Sequence, residues 1–181
     1  MKKQIPNILT ILRFFMIPVF IILYFKGGDG KFPYFTAFMY VLAWATDVID
    51  GRLARRYGWV TDIGKIIDPL ADKLMQFAAL VCFTVEDRIF LLALIPMVIK
   101  ELGMLIGAAV ILKNRKIVVQ AKWFGKFATV GLFLIALAKI IIRGNHIFNV
   151  IAAIVMLCLM MFAGVMYLLG FKEQLKSEAG K

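Results

Sequence analysis

The chain has 181 residues, 62% of them hydrophobic, a mean hydropathy of +0.88 and a formal net charge of +11. The length predicts a single domain over 1–181. The hydropathy excludes an ordinary water-soluble protein, and the basic excess beside long apolar runs points to an integral membrane protein at an anionic surface. Nucleic acid is excluded as a partner, because the lysines and arginines punctuate apolar spans instead of forming one basic domain.

Residues 1–13 read as a short basic segment that lies along the interface and then enters the membrane. No small-residue cleavage site follows the first apolar stretch, so no removable signal is expected. The first span is predicted at about 8–25. Asn7, Thr10 and Arg13 recur every third residue and share a helical face. Lys26 to Lys31 is a glycine-rich turn. The second span is predicted at about 33–55 and the third at about 62–85, with Pro69 starting or kinking the latter. Glu86, Asp87 and Arg88 turn the chain. The fourth span covers about 89–112, with Lys100 and Glu101 near its middle. Basic residues from Lys113 to Lys122 make the next loop. The fifth span is about 124–142 and the sixth about 147–170, followed by a basic tail. Each is close to the roughly 20 residues that cross a bilayer. Cys82 and Cys158 lie inside apolar runs without metal spacing and read as small core residues. Gly103 and Gly107 read as a close-packing pair, and His146 as a loop residue.

Six spans place both termini on one side. Of the 22 lysines and arginines, Lys26, Lys31, Arg88, Lys139 and Arg143 fall on the opposite side or beside it. The other seventeen lie on the side of the termini and the 47–72 segment or within the spans beside it, so that side faces the cytoplasm by the positive-inside rule. The expected fold is therefore an all-α integral membrane protein of six transmembrane helices.

The chemistry concentrates at 47–72. Four of the 11 acidic residues are Asp47, Asp50, Asp68 and Asp72. Asp47 and Asp50 are three apart, Asp68 and Asp72 four apart, so each pair shares a helical face. Such a negative, oxygen-rich pocket is prohibitive near lipid unless a cation fills it, and carboxylates suit hard divalent ions such as Mg²⁺ or Mn²⁺. Gly51 and Ala54 follow the first pair at four-residue spacing, and Gly64 precedes Asp68 by four. These short side chains let a bulky ligand approach the backbone. Arg55 adds a planar fork suited to phosphate.

The string Asp-x2-Asp-Gly-x2-Ala-Arg-x8-Gly-x3-Asp-x3-Asp, at Asp47, Asp50, Gly51, Ala54, Arg55, Gly64, Asp68 and Asp72, resembles the signature of the CDP-alcohol phosphotransferase family. All eight positions are present. The resemblance implies transfer of a substituted phosphate from a CDP-linked donor to an alcohol, with release of CMP. In a six-helix membrane protein the implied donor is CDP-diacylglycerol. It further implies that the four aspartates hold two divalent cations, that Asp72 is the general base, and that Gly51, Ala54 and Gly64 floor the nucleotide pocket with Thr61 and Arg55 beside it. Homodimers in a bacterial cytoplasmic membrane are implied as well.

The start of the chain, Pro6-Asn7-x-Leu-Thr10-x-x-Arg13, is similar to that of members using glycerol phosphate. Gly125-Lys126-Phe-Ala128-Thr129 resembles their Gly-Lys-x-Lys-Thr element for the acceptor's phosphate, with Ala128 in place of the second lysine. Lys100 stands where those members tend to have arginine. The acceptor expected from this is sn-glycerol 3-phosphate, held by Lys126, Lys100, Thr129 and Arg13, and the product phosphatidylglycerophosphate. The Lys100 and Ala128 departures keep a cardiolipin synthase of the same family, with phosphatidylglycerol as acceptor, as the alternative; inositol phosphate is a third acceptor. A divalent-cation transporter is the alternative from another class. It would want polar residues across the whole span, whereas here polarity stops at the cytoplasmic half.

Overall fold

The computed structural model describes residues 5–26, 33–57, 64–114 and 123–179. Among them every regular element is helical: α1 (Ile5–Lys26), α2 (Pro33–Tyr57), α3 (Gly64–Glu86), α4 (Leu91–Asn114), α5 (Trp123–Ile141) and α6 (His146–Ala179), with a single 3-10 turn at Arg88–Phe90. The predicted all-α class and the six predicted helices are present. α1 differs from expectation at its start. Ile5 to Arg13 continue into α1 as one helix, because Pro6 sits in the first turn, where its missing N–H has no helical partner to lose. Pro69 lies inside α3, which begins at Gly64. α6 also runs beyond the predicted boundary, to Ala179. Lys172, Glu173 and Lys176 end the apolar stretch there without ending the helix, for which they are good formers.

The chain divides into two compact units. One takes the chain up to Glu86 together with Ala136–Gly144, and the other takes Asp87–Ile135 and Asn145 onward. In the first unit α1 packs on α2 and α3, and α2 on α3. Helical periodicity builds that core. α1 buries Arg13, Met16, Phe20 and Tyr24; α2 buries Thr36, Ala37, Tyr40 and Ala43; α3 buries Ala71, Met75, Ala78, Ala79, Cys82 and Phe83. Phe20 bridges to Tyr40 at 5.6 Å between ring centroids, and Tyr24 meets Phe83 at 5.6 Å, so one aromatic cluster joins all three helices. Arg143 closes its end. The guanidinium lies 4.0 Å from the centroid of the Tyr24 ring and Nη2 donates to the Tyr24 carbonyl at 2.7 Å. Replacing Arg143 with Met should cost about 2 kcal/mol, the sum expected for a cation–π contact and a charge-assisted hydrogen bond. Arg143→Lys should recover less than half of that, because an ammonium lacks the planar fork. Thermal unfolding in detergent reads both, and an Arg143→Met protein as stable as wild type would refute it.

In the second unit α4 packs on α6, and both contact the 3-10 turn. Ala93, Met97, Ala152, Ala153, Met156 and Met160 are buried there. The joint is polar. Asp87 caps the 3-10 turn by accepting from the Ile89 N–H at 3.1 Å, and its other oxygen accepts from Asn149 Nδ2 at 3.0 Å and faces His146 Nδ1 at 3.3 Å. Asn145 caps α6 by accepting from the Phe148 N–H at 3.1 Å. His146 is therefore the first residue of α6 and not a loop residue. Gly144, at φ +76, makes the left-handed step before it.

These bonds to Asp87, the Ile89 amide foremost, hold its carboxyl below its ordinary value of 3.8. A depressed folded value means the stabilisation is complete above the unfolded value and disappears as pH falls through the folded one. The stability difference between wild type and Asp87→Asn should therefore be constant from neutral pH down to about 5 and shrink below about 4. A difference that grows on acidification would contradict the assignment.

The outward faces are apolar. Leu12, Phe15, Val19 and Ile22 form a solvent-side stripe on α1, Ile95, Val98, Ile99 and Leu102 one on α4, and Ile147, Ile151, Ile154 and Val155 one on α6. Among the described residues, His146–Met166 is a helix of membrane-crossing length and composition, with a mean hydropathy of 2.5, and Phe127–Ile141 is a shorter apolar helix. One sequence expectation is corrected here. Cys158 is exposed on α6 while Cys82 is buried, and both are free thiols. Gly103 is exposed, and a Cβ built on it meets no atom of the described residues within 4 Å.

Candidate active site

Asp47, Asp50, Gly51, Ala54 and Arg55 lie in the C-terminal half of α2, and Gly64, Asp68 and Asp72 in the N-terminal half of α3. Helical register relates them to the core. On α2 the buried series Thr36, Tyr40, Ala43 continues at its three-to-four spacing to positions 47, 50 and 54. On α3 the series Phe83, Ala79, Met75 continues backward to positions 72 and 68. The four aspartate positions thus prolong the faces through which α2 and α3 enter their shared core. α1 supplies Arg13 in line with Met16, Phe20 and Tyr24, and its side chain is only 1% exposed. A guanidinium placed so deeply belongs among acceptors. The same unit therefore carries all four aspartates and a buried arginine.

Thr61 lies outside the described residues. The expected acceptor residues other than Arg13 fall in the second unit: Lys100 on α4, and Lys126 and Thr129 in the N-terminal part of α5. Lys100 Nζ lies 3.1 Å from Glu101 Oε1, with the two side chains 26% and 19% exposed. Consecutive residues do not face one another on a helix, so this pair forms by both long side chains leaning together, and it leaves the ammonium partly neutralised. The Thr129 hydroxyl donates to the Gly125 carbonyl at 2.9 Å, so its proton is committed to the helix and its oxygen remains as an acceptor. Ala128 is buried.

A second charged cluster was not foreseen. Lys139, fully buried on α5, donates to Glu86 Oε1 at 2.9 Å, and the Tyr24 hydroxyl donates to Glu86 Oε2. Burial pushes the Glu86 carboxyl up, but the bonds from Lys139 and Tyr24 outweigh it and hold it below its usual value. The signal in the sequence was a lysine near the end of an apolar span, which requires a counter-ion, and Glu86 is the acid at the same end of α3. The cluster lies at the end of α3 opposite Asp68 and Asp72.

The donor set of the signature, four carboxylates on two helices that pack on each other, fits hard divalent cations that take oxygen ligands. Among the described residues no group of three or more His, Cys, Asp or Glu side chains gathers for a metal.

Comparison with known proteins identifies the family. The profile described as CDP-alcohol phosphatidyltransferase matches residues 3–169, and the chain belongs to that family. It is 34% identical over 162 residues to the CDP-diacylglycerol–glycerol-3-phosphate 3-phosphatidyltransferase of Haemophilus influenzae, a match covering 87% of this chain and 85% of that protein. A protein of Mycobacterium tuberculosis named "Probable phosphatidylglycerophosphate synthase" is 31% identical over 177 residues, covering 91% and 79%. A Bacillus subtilis protein named as the Haemophilus one is 32% identical over 137 residues, 70% of each chain.

Proposed function

We propose that this chain transfers the phosphatidyl group of CDP-diacylglycerol to sn-glycerol 3-phosphate, giving phosphatidylglycerophosphate and CMP. The observation that carries the reading is the complete eight-residue signature, set on two helices that pack on each other in a chain of this family. The names of the relatives point to the same donor and acceptor.

In this reading the whole chain is one catalytic domain with six membrane-spanning helices, both termini in the cytoplasm of a bacterial cell. The apolar outward stripes of α1, α4 and α6 support it, since such surfaces are costly in water and neutral in lipid. The acyl chains of the donor stay in the bilayer while its pyrophosphate reaches the cytoplasmic half, where α2 ends and α3 begins. Asp47, Asp50, Asp68 and Asp72 hold two divalent cations, Mg²⁺ or Mn²⁺. Bound there, the cations withdraw charge from the pyrophosphate and favour CMP as leaving group. Gly51, Ala54 and Gly64 admit the nucleotide close to the backbone, and Arg55 and Thr61 bind its phosphate. Asp72 takes the proton of the acceptor hydroxyl as its oxygen attacks, in line, the phosphorus that carries the diacylglycerol. The bond from that phosphorus to the CMP oxygen breaks. Lys126, Lys100 and Arg13 draw in the acceptor's phosphate, with Thr129 beside them. The functional form is a homodimer, and the exposed Gly103 on α4 admits close approach of a second copy.

Acceptor competition tests it. Purified protein in detergent receives CDP-diacylglycerol and Mg²⁺, with glycerol 3-phosphate, phosphatidylglycerol or inositol phosphate in parallel, and CMP and the lipid product are followed. Glycerol 3-phosphate should drive turnover alone. Turnover only with phosphatidylglycerol would make the chain a cardiolipin synthase and identify Ala128 as the deciding departure. Divalent-ion flux in liposomes without CMP release would point to transport.

A further inference from the structure

We propose that Glu86 is a positioning residue for the metal-holding aspartates of α3, acting from the opposite end of the same helix; this rests on the reading of Asp68 and Asp72 as metal ligands. α3 is one unbroken helix from Gly64 to Glu86. Glu86 follows Asp68 by eighteen residues, which is five full turns and about 27 Å of rise, so the two positions share one azimuth. Asp72 is fourteen residues before Glu86 and within about 40° of it. Any roll of α3 about its axis therefore moves position 86 and positions 68 and 72 together.

The buried residues of α3 between the two ends are Ala71, Met75, Ala78, Ala79, Leu80, Cys82 and Phe83, and four of these seven are alanine or cysteine. Small side chains offer little to interlock, and methionine adapts to what it meets. Directional bonds hold the far end. Each carboxylate oxygen of Glu86 takes one donor, Oε1 from Lys139 on α5 and Oε2 from Tyr24 on α1. Tyr24 is itself held by Arg143, which stacks on its ring and bonds its carbonyl. Glu86 is thus triangulated from two helices, and the azimuth of α3 with it. A carboxylate about 5–6 Å from a helix axis moves about 1 Å for a 10° roll. Magnesium sites need near-ideal octahedral geometry, with distances good to about 0.2 Å. Bonds that fix the azimuth of α3 help to meet that tolerance.

The test uses the full chain in detergent, with two readouts: the Mg²⁺ concentration giving half-maximal CMP release, and the rise in melting temperature on adding Mg²⁺ without substrate. Two variants are compared, Glu86→Gln and the double Glu86→Gln/Lys139→Met. The single variant breaks the ion pair of the buried Lys139 ammonium and loses stability. The double variant removes both charges and recovers it. Both should need about tenfold more Mg²⁺ and show a smaller Mg²⁺-induced melting shift, the size of effect expected when support behind a metal ligand is lost. A purely structural pair would move the melting temperature and leave the Mg²⁺ requirement unchanged. A double variant with wild-type stability and the wild-type Mg²⁺ requirement overturns the proposal. An unmodified protein whose melting temperature ignores Mg²⁺ overturns the metal reading of the aspartates beneath it, and with it the proposal.

Discussion

Asp72→Asn should lower CMP release by at least about 10³-fold, within the range for losing a positioned general base. The substitution keeps the shape of the side chain and removes its ability to take a proton. Asp47→Asn is the comparison that gives the result its meaning. Loss of one carboxylate from a metal site weakens ion binding, and raising Mg²⁺ offsets weaker binding. Asp47→Asn should therefore recover most of its activity in excess Mg²⁺, whereas Asp72→Asn should stay inactive, since no concentration of cation supplies a base. The acceptor's apparent affinity should change little in Asp72→Asn, because the loss is confined to the transition state. Rescue of Asp72→Asn by Mg²⁺ to the same degree as Asp47→Asn would reduce Asp72 to a ligand. Activity within tenfold of wild type would remove it from the chemistry altogether.

The helices were legible because each is written as an apolar run closed by charge or glycine. The second span, predicted at 33–55, is observed as Pro33–Tyr57, and the fifth, predicted at 124–142, as Trp123–Ile141. The aspartates were legible for a different reason: their spacing encodes a shared helical face without any knowledge of tertiary structure. What failed to show was long-range pairing. Glu86 and Lys139 are 53 residues apart, and neither position breaks a periodic pattern. Lys139 was counted as a topology charge near an outer loop, and only packing revealed it as fully buried. His146 was misplaced because a lone histidine beside Gly144 and Asn145 looks like turn composition, while Asn145 is the cap of α6. The end of α6 was set too early because hydropathy reports the end of an apolar run and not the end of helical hydrogen bonding. Cys158 was assigned to a core on the assumption that apolar runs face inward; in this chain many apolar side chains face outward, and α6 presents Cys158 on that side.

The Glu86–Lys139 pair should also be asymmetric in its contribution to stability, and the asymmetry is large enough to measure. The Lys139 side chain is 0% exposed and that of Glu86 29% exposed. Removing Glu86 breaks the ion pair of an ammonium that water does not reach, and breaking a buried pair costs about 3–5 kcal/mol. Removing Lys139 leaves a carboxylate at the rim that still accepts from Tyr24 and still reaches solvent, so Lys139→Met should cost about half as much or less. Glu86→Gln should therefore be the more damaging single change, although it replaces only one heavy atom of the side chain and each variant removes one charge. The double variant should be more stable than Glu86→Gln alone, since it takes away the buried charge as well. Melting temperatures of the three variants and wild type, read as a double-mutant cycle, decide the matter. Equal costs for the two single variants would mean that water reaches Lys139 in solution. An additive cycle would mean that the 2.9 Å contact carries no energy, and the rigidity attributed to the far end of α3 would lose its physical basis.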